Sequence, residues 1–303
     1  ADQCKALARQ ARVAKSVSCE DFVVTRALPP VFQSSRPLVF AHRGGAKLAP
    51  ENTMAAFDNG IALGADGMEM DVQLSGDGVP MVIHDAALDR TTDRVGPVSS
   101  LSAEELARVD AGYRFSNGDT HPFRGQGIGV PTLRAALRRF PLTRVIIEMK
   151  GAQPELPQAV ARVIRETGAV DRVCVGSFAH RLLDTLRRES PEITTSASLP
   201  EARWTLHRSW VRWPFRGRRG FVAFQVPERA GRLRVVTPRF IRQVHREGRV
   251  VQVWVVDLEQ DARRLLAWGV DGLISDRPDI TVGVRNAWVT ERGDTICAAV
   301  NHR

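Results

Sequence analysis

From Pro37 onward the chain alternates two apolar patterns. Short β-like runs recur as "PLVFAH", "GMEMDVQL", "RVIIEM", "RVCVGSF", "ITTSASL", "FVAFQV", "VVQVWVV" and "GLISD". Between most of them lie segments whose apolar residues fit helical spacing: Asn52–Leu63, Thr132–Phe140, Glu155–Thr167, His180–Glu189, Pro238–Glu247 and Leu258–Trp268. Strand and helix in steady alternation predict βαβ units around a parallel sheet. Eight such strands predict a closed (β/α)8 TIM barrel, with an open doubly wound sheet as the alternative. An internal echo supports repeated units. "LGADGMEMD" and "WGVDGLISD" share G-x-D-G-x-x-x-D, in which Gly64 or Gly269 can end a helix in the left-handed conformation before an Asp-Gly turn launches a strand.

Two stretches break the rhythm. Residues 75–130 are too long for a simple loop. They carry a further β-like run, "VPMVIHD", a helix seed, "SAEELARVD", and a Gly-rich tract ending at Pro131, and so predict a small subdomain inserted after the second strand. Residues 201–220 interleave Trp with Arg. Residues 1–36 read as a polar, partly helical lead-in, 37–285 as the barrel and 286–303 as a C-terminal tail.

Within the second run, Met68, Met70, Val72 and Leu74 alternate with Glu69, Asp71 and Gln73. Two carboxylates therefore share one face of a strand, where a buried strand would carry apolar residues. Glu148 and Lys150 share a face in the same way. Barrel enzymes place their chemistry at strand ends, and the polar residues there are His42, Arg43, Glu69, Asp71, Glu148, Lys150, Gln225, Trp254 and Asp276. Three acids aimed into one mouth repel and are costly to desolvate. They either pair with nearby Arg or hold a hard cation, and an all-oxygen donor set points to one divalent ion, Ca²⁺ or Mg²⁺, with Mn²⁺ a third choice. Lys150 favours the cation: an ammonium beside such a carboxylate suggests a phosphate oxygen as third partner. His42 and His84, each near an acidic strand end, suit general acid–base work.

Charge narrows the partner. The net charge is +9, and of 43 basic residues only Lys5, Lys15, Lys47 and Lys150 are lysine. Such a balance suits an anionic partner or an Arg-rich background. No RNA-binding signature is present, which argues against a specific nucleic-acid partner. No run reaches the ~18 apolar residues of a membrane span. The first residue is Ala1, so an upstream signal or anchor is expected to be missing, and the compartment stays open between membrane-associated and cytoplasmic. No C-x-x-C pair exists. Cys174 reads as core, and a Cys4–Cys19 bridge is left open. Oligomeric state is not legible.

The motifs "AHRGGAKLAPENTMAAF", "GMEMDVQLSGDGVPMVIHDAALDRTTD", "IIEMKG", "VWVVD" and "GVDGLISDRPD", in this order from Pro37 to Ile280, resemble the glycerophosphodiester phosphodiesterase family. The resemblance implies a TIM barrel with an insertion after strand two. It also implies metal-dependent hydrolysis of glycerophosphodiesters to glycerol 3-phosphate and an alcohol. Matched by motif, His42 and His84 would be the catalytic pair and Glu69, Asp71 and Glu148 the metal ligands. Arg43 and Lys150 would contact phosphate, with Glu51 orienting Arg43; Gln225 and Trp254 complete the expected substrate contacts. Where the family commonly has Asn shortly after its barrel Trp, this chain has Asp257. A sphingomyelinase D or phosphatidylinositol phospholipase C type barrel also uses paired histidines, but "HRGG…PENT" and "EMK" favour the diesterase. A non-catalytic basic membrane-binding barrel would need a damaged motif, and every key position is present. The Trp/Arg segment 203–221 adds two expectations: a peripheral membrane contact, and lysophospholipase D-type hydrolysis of lysolipid substrates there.

Overall fold

The computed structural model describes residues 28–151, 153–211 and 220–300. Seven strands form one parallel sheet: β1 (Leu38–Ala41), β2 (Gly67–Leu74), β4 (Arg144–Met149), β5 (Val173–Gly176), β6 (Ala223–Pro227), β9 (Val250–Trp254) and β10 (Gly272–Ser275). Their order is β5-β4-β2-β1-β10-β9-β6. The gap between β5 and β6 is bridged by residues 194–196, through parallel pairs Val175–Thr195 and Ser196–Ala223. The ring is thus nearly closed, an α/β barrel.

The fifth expected strand, "ITTSASL", reduces to these isolated bridges, with side chains engaged around it. The Thr195 hydroxyl donates to the Gly220 carbonyl at 2.8 Å, and Arg187 donates to Thr195 Oγ1 and to the Ser196 carbonyl. The Ser196 carbonyl is thus taken by Arg187, while the Thr194 and Thr195 carbonyls and the Ser196 and Ala197 N–H groups still bond the flanking chain at Val175, Val222 and Ala223.

The helices follow the expected segments to within about two residues. They are α1 (Met54–Ala62), α3 (Leu133–Arg139), α4 (Leu156–Glu166), α5 (His180–Glu189), α7 (Pro238–Arg246) and α8 (Glu259–Trp268). Thr53, Thr132 and Thr237 cap α1, α3 and α7 by accepting a backbone N–H three residues on. Helices α6 (Leu199–Val211) and α9 (Pro278–Val300) were not expected as such. Helix α6 takes up the first half of the Trp/Arg stretch, and α9 absorbs most of the expected tail. Among the described residues no helix is long and apolar enough to cross a membrane.

Outward-facing strand residues pack on the helices in two clusters, one around Met68, Met70 and Ile147, the other around Phe224, Val251 and Leu273. The barrel interior holds Phe40, Ile146, Cys174, Val250 and Ile274, together with Val31 and Phe32 from a 3₁₀ turn at Pro30–Phe32. The lead-in is therefore not polar throughout, because its end plugs the barrel floor. Cys174 is free and fully buried, and burial pushes its thiol pKa upward. Residues Cys4 and Cys19 lie outside the described residues.

The repeated G-x-D-G joint is built alike at both places. Gly64 and Gly269 are left-handed, with φ of 89° and 91°. Asp66 then accepts the Val39 N–H at 2.8 Å, and Asp271 accepts the Val251 N–H at 2.7 Å. Each aspartate thereby clasps the neighbouring strand. Asp66 is also paired with Arg36 and the buried Arg285, Asp271 with His245.

Residues between β2 and α3 form a small unit with its own core of Met81, Leu88, Val98, Leu106 and Val130. Strand β3 (Pro80–Val82) pairs antiparallel with β2, and α2 (Ala103–Leu106) begins in a Ser102/Glu105 capping box. Residues Arg229–Ala230 (β7) and Leu233–Arg234 (β8) form a two-stranded hairpin after β6.

Candidate active site

The carboxylates come first because strand register sets them. Glu69 and Asp71 point inward from β2, and Asp71 is the register partner of Glu148 on β4. One oxygen from each of the three lies within 4.8 Å of the others. Glu69 and Asp71 are buried, at 4% and 1% exposure. Burial, with Asp71 and Glu148 adding repulsion, pushes Glu69 up to about 8. Burial and then Asp71 also raise Glu148, against the pull of Lys150. Lys150 Nζ lies 2.9 Å from Glu148 Oε1 and 3.3 Å from Asp71 Oδ1. Both of these carboxylate oxygens are buried, with the Lys150 ammonium against them. Three close carboxylates, two of them buried outright and one poorly ionised, fit a hard divalent cation.

Local backbone sets the rest. After β1 the chain turns through His42-Arg43-Gly44-Gly45. Arg43 and Asn52 hold positive φ, 50° and 58°, which non-glycine residues rarely adopt. Each is held from both ends. The Arg43 N–H donates to Glu69 Oε2 at 3.1 Å, while its guanidinium reaches Glu51 at 2.8 Å. Asn52 donates to Asp71 Oδ2 and accepts the Asp71 N–H. Gly44 is obligatory, because a Cβ there would lie 2.6 Å from the Ala56 backbone.

Both histidines are held through Nδ1. His42 Nδ1 lies 2.7 Å from Asp276 Oδ1, at the end of β10, and His84 Nδ1 lies 2.5 Å from Asp85 Oδ1. With Nδ1 carrying the proton shared with a carboxylate, Nε2 is left for chemistry. His42 Nε2 is 3.8 Å from Glu69. Burial works against charge on His42, but Glu69 and Asp276 outweigh it and raise the pKa. Arg90 donates to Asp85 at 2.7 Å and clamps Glu51 with two further bonds of 2.7 Å. Hydrogen bonding from Arg90, against some burial, lowers Asp85 to about 2.

These side chains line one end of a cavity of about 570 Å³. His42, Arg43, Glu69, His84, Glu148 and Lys150 all reach it, as do Gln225 and Trp254. Gln225 donates to Gln252 inside the barrel, and Trp254 meets Phe178 edge-to-face at 6.1 Å. Asp71 and Glu51 do not line the cavity. The first sits below it and the second stands behind Arg43. Asp257 is turned away: it accepts from Ser275 Oγ and the Asp276 N–H and pairs with Lys47 at 2.9 Å.

Three positioning partners fall outside the set drawn from the sequence, Asp85, Arg90 and Asn52; Asp276 stood in that set as a strand-end polar residue, without its contact to His42. The signals were present. Asp276 ends a strand, Asp85 adjoins His84, and Asn52 stands inside "PENT". Their roles depend on contacts across 234, 39 and 19 residues for the His42–Asp276, Arg90–Glu51 and Asn52–Asp71 pairs.

Comparison with known proteins agrees with this geometry. The profile of the Glycerophosphoryl diester phosphodiesterase family matches residues 42–280. A glycerophosphodiester phosphodiesterase of Caldanaerobacter subterraneus is 31% identical over 254 residues, covering 82% of this chain and 98% of that protein. One from Bacillus altitudinis is 32% identical over 253 residues, covering 82% and 97%. The crystal structure of a glycerophosphodiester phosphodiesterase from Agrobacterium tumefaciens superposes with a TM-score of 0.68 at 30% identity, covering 82% of this chain and 99% of that one. An Oleispira antarctica phosphodiesterase, solved with the product sn-glycerol-3-phosphate, gives a TM-score of 0.67 at 26% identity, covering 82% and 96%. With its motif residues gathered at one barrel mouth, the chain belongs to the glycerophosphoryl diester phosphodiesterase family and is a phosphoric diester hydrolase.

Proposed function

We propose that this site cleaves glycerophosphodiesters to glycerol 3-phosphate and an alcohol, using one divalent cation and the His42/His84 pair. The observation that carries the reading is the shared cavity end. Two carboxylate-held histidines flank the Glu69/Asp71/Glu148 cluster there, with Arg43 and Lys150 supplying positive charge. Glu69, Asp71 and Glu148 would hold the ion, Ca²⁺ or Mg²⁺ with Mn²⁺ as the third candidate. When bound it supplies Lewis-acid stabilisation of the phosphoryl oxygens. The chain's own groups do the rest. Arg43 and Lys150 bind the non-bridging phosphate oxygens and stabilise charge gained in the transition state. One histidine takes the proton of the attacking hydroxyl through Nε2, and the other returns a proton to the departing alkoxide. Gln225 and Trp254 contact the substrate from across the mouth. The sn-glycerol-3-phosphate bound by the Oleispira protein supports the product assignment.

The test follows glycerophosphocholine turnover and metal content together. Wild-type protein stripped of metal should be inactive and recover with Ca²⁺, Mg²⁺ or Mn²⁺. Glu69→Gln should stay folded yet titrate little or no metal by calorimetry. Full turnover after exhaustive stripping would rule out the metal role.

A peripheral membrane contact through 203–221 is supported by the exposed Trp204 beside Arg203 and His207 on α6. Residues 212–219 lie outside the described residues. Co-sedimentation with anionic vesicles at low salt checks it, and no binding there would end that reading.

A further inference from the structure

The register of β1 and β10 ends one residue short of the His42–Asp276 pair. Its last partners are Ala41 and Ser275, and His42 and Asp276 come next on each strand. The ladder brings the two side by side and stops there. What holds Asp276 comes from a third strand end. Asp257, three residues past β9, accepts the Asp276 N–H at 2.8 Å and the Ser275 hydroxyl at 3.0 Å, both through Oδ1. The Asp276 carbonyl accepts the Lys47 N–H at 3.3 Å, from the turn that begins at His42. The Lys47 ammonium then returns to Asp257 Oδ2 at 2.9 Å. The peptide groups on both sides of Asp276 are thereby bonded, and the two residues that bond them are paired with each other.

We infer that Asp257 and Lys47 form a clasp that positions the Asp276 carboxylate, and through it the His42 imidazole, for the reaction. Neither residue lines the cavity, so each acts only through another. The charge on Asp257 closes the clasp. An asparagine there would keep an acceptor for the Asp276 N–H but would turn an amide N–H toward the Lys47 ammonium. A second carboxylate beside Asp276 would repel it, and the ammonium offsets that repulsion. Lys47 is one of four lysines in a chain that otherwise uses arginine, and its side chain is 58% exposed. An ion pair this exposed adds little to global stability, so its effect falls on local geometry. This inference rests on the reading in which His42 moves a proton during diester cleavage.

The experiment compares Asp257→Ala, Asp257→Asn, Lys47→Met and Lys47→Arg with wild type. It reads kcat and KM for glycerophosphocholine with the activating cation present, and the proton NMR spectrum of the ¹⁵N-histidine-labelled full chain. The His42 Nδ1 proton, assigned by its loss in His42→Ala, should give a downfield resonance in wild type. Asp257→Ala should lower kcat by about ten- to a hundredfold with KM little changed, the cost of a displaced working group, and broaden that resonance. Asp257→Asn and Lys47→Met should each cost about two- to fivefold in kcat, the scale of one exposed ion pair, and Lys47→Arg should recover most of it. In a His42→Ala background none of these substitutions should lower kcat further. A kcat near the wild-type value in Asp257→Ala overturns the inference. So does a fall in kcat with the resonance unmoved, or a further loss in the His42→Ala background. Should Asp257→Ala fail to fold, Asp257→Asn and Lys47→Met carry the same decision. A wild type that turns over no glycerophosphodiester would instead refute the phosphodiesterase reading, and the resonance alone would then decide the clasp.

Discussion

His42 and His84 present similar imidazoles to one cavity, but the protein holds them differently. His42 follows a barrel strand, and its carboxylate partner, Asp276, ends the adjacent strand β10. The ring itself brings that pair side by side. His84 lies in the insertion beyond β3, and its partner is the next residue in the chain. The ring holds only its backbone, where Gln73 of β2 donates to the His84 carbonyl at 2.9 Å. Its anchorage is ionic: Arg90 ties Asp85 to Glu51, and Glu51 in turn grips Arg43. A strand-borne group inherits its position from the sheet, whereas a loop-borne group needs a dedicated tether. Arg90 is that tether, and it links the insertion to the turn that carries Arg43.

The contrast can be broken in graded steps. Both halves share the carboxylate cluster, so metal stripping or Glu69→Gln should have the largest effect, loss of glycerophosphocholine turnover to background in a ³¹P NMR assay. Next, His42→Ala and His84→Ala should each lower kcat by about 10² to 10⁴. The double variant should lose less than the product of the two. If His84→Ala keeps near-normal kcat on a diester with a poor leaving group, its role as proton donor or acceptor is wrong. Arg90→Ala should cost roughly ten- to a hundredfold in kcat, the usual range for a partner that orients a working group. Arg90→Lys should recover part of this. Asp276→Asn should change the pH profile through His42 alone, leaving the Arg90 tether intact.

The smallest effect concerns the two G-x-D-G joints, which repeat the contrast between permanent and conditional attachment. Asp66 is held by arginines, Asp271 by His245 at 2.8 Å. Burial disfavours charge on His245, yet the Asp271 hydrogen bond and charge outweigh it and raise the pKa. A raised imidazole pKa stabilises the fold fully below the unfolded value of about 6.5, and that contribution fades as pH climbs through the folded value. His245→Gln should therefore lower the denaturation midpoint most below pH ~6.5, with the gap to wild type closing in alkali. A gap independent of pH would remove the ion pair from the account.

Much of this was legible because barrel strands encode their faces in period-two alternation. Glu69 and Asp71 stood out in "GMEMDVQL" for that reason, and the βα rhythm carried the fold. What escaped depends on contacts between distant residues. Arg90 is one of many arginines until Glu51 is seen beside it. Val31 and Phe32 look like stray apolar residues in a polar lead-in until the barrel floor needs filling. The strand expected in "ITTSASL" was legible as a β-like run, but not that it would shrink to one bridge on each side.

That short eighth segment has a dynamic consequence. β2 and β4 share six register pairs, whereas residues 194–196 are stitched to each neighbour by a single bridge. Cooperative units with fewer shared hydrogen bonds open at lower free energy. Amide hydrogens of Thr195 and Ser196 should therefore exchange with deuterium well before those of Met70 and Val72. The ring behaves as a clip whose stiff limb carries the carboxylates and whose sprung limb lines the same cavity at Ser196, so breathing can admit bulk on one side without shifting charge on the other.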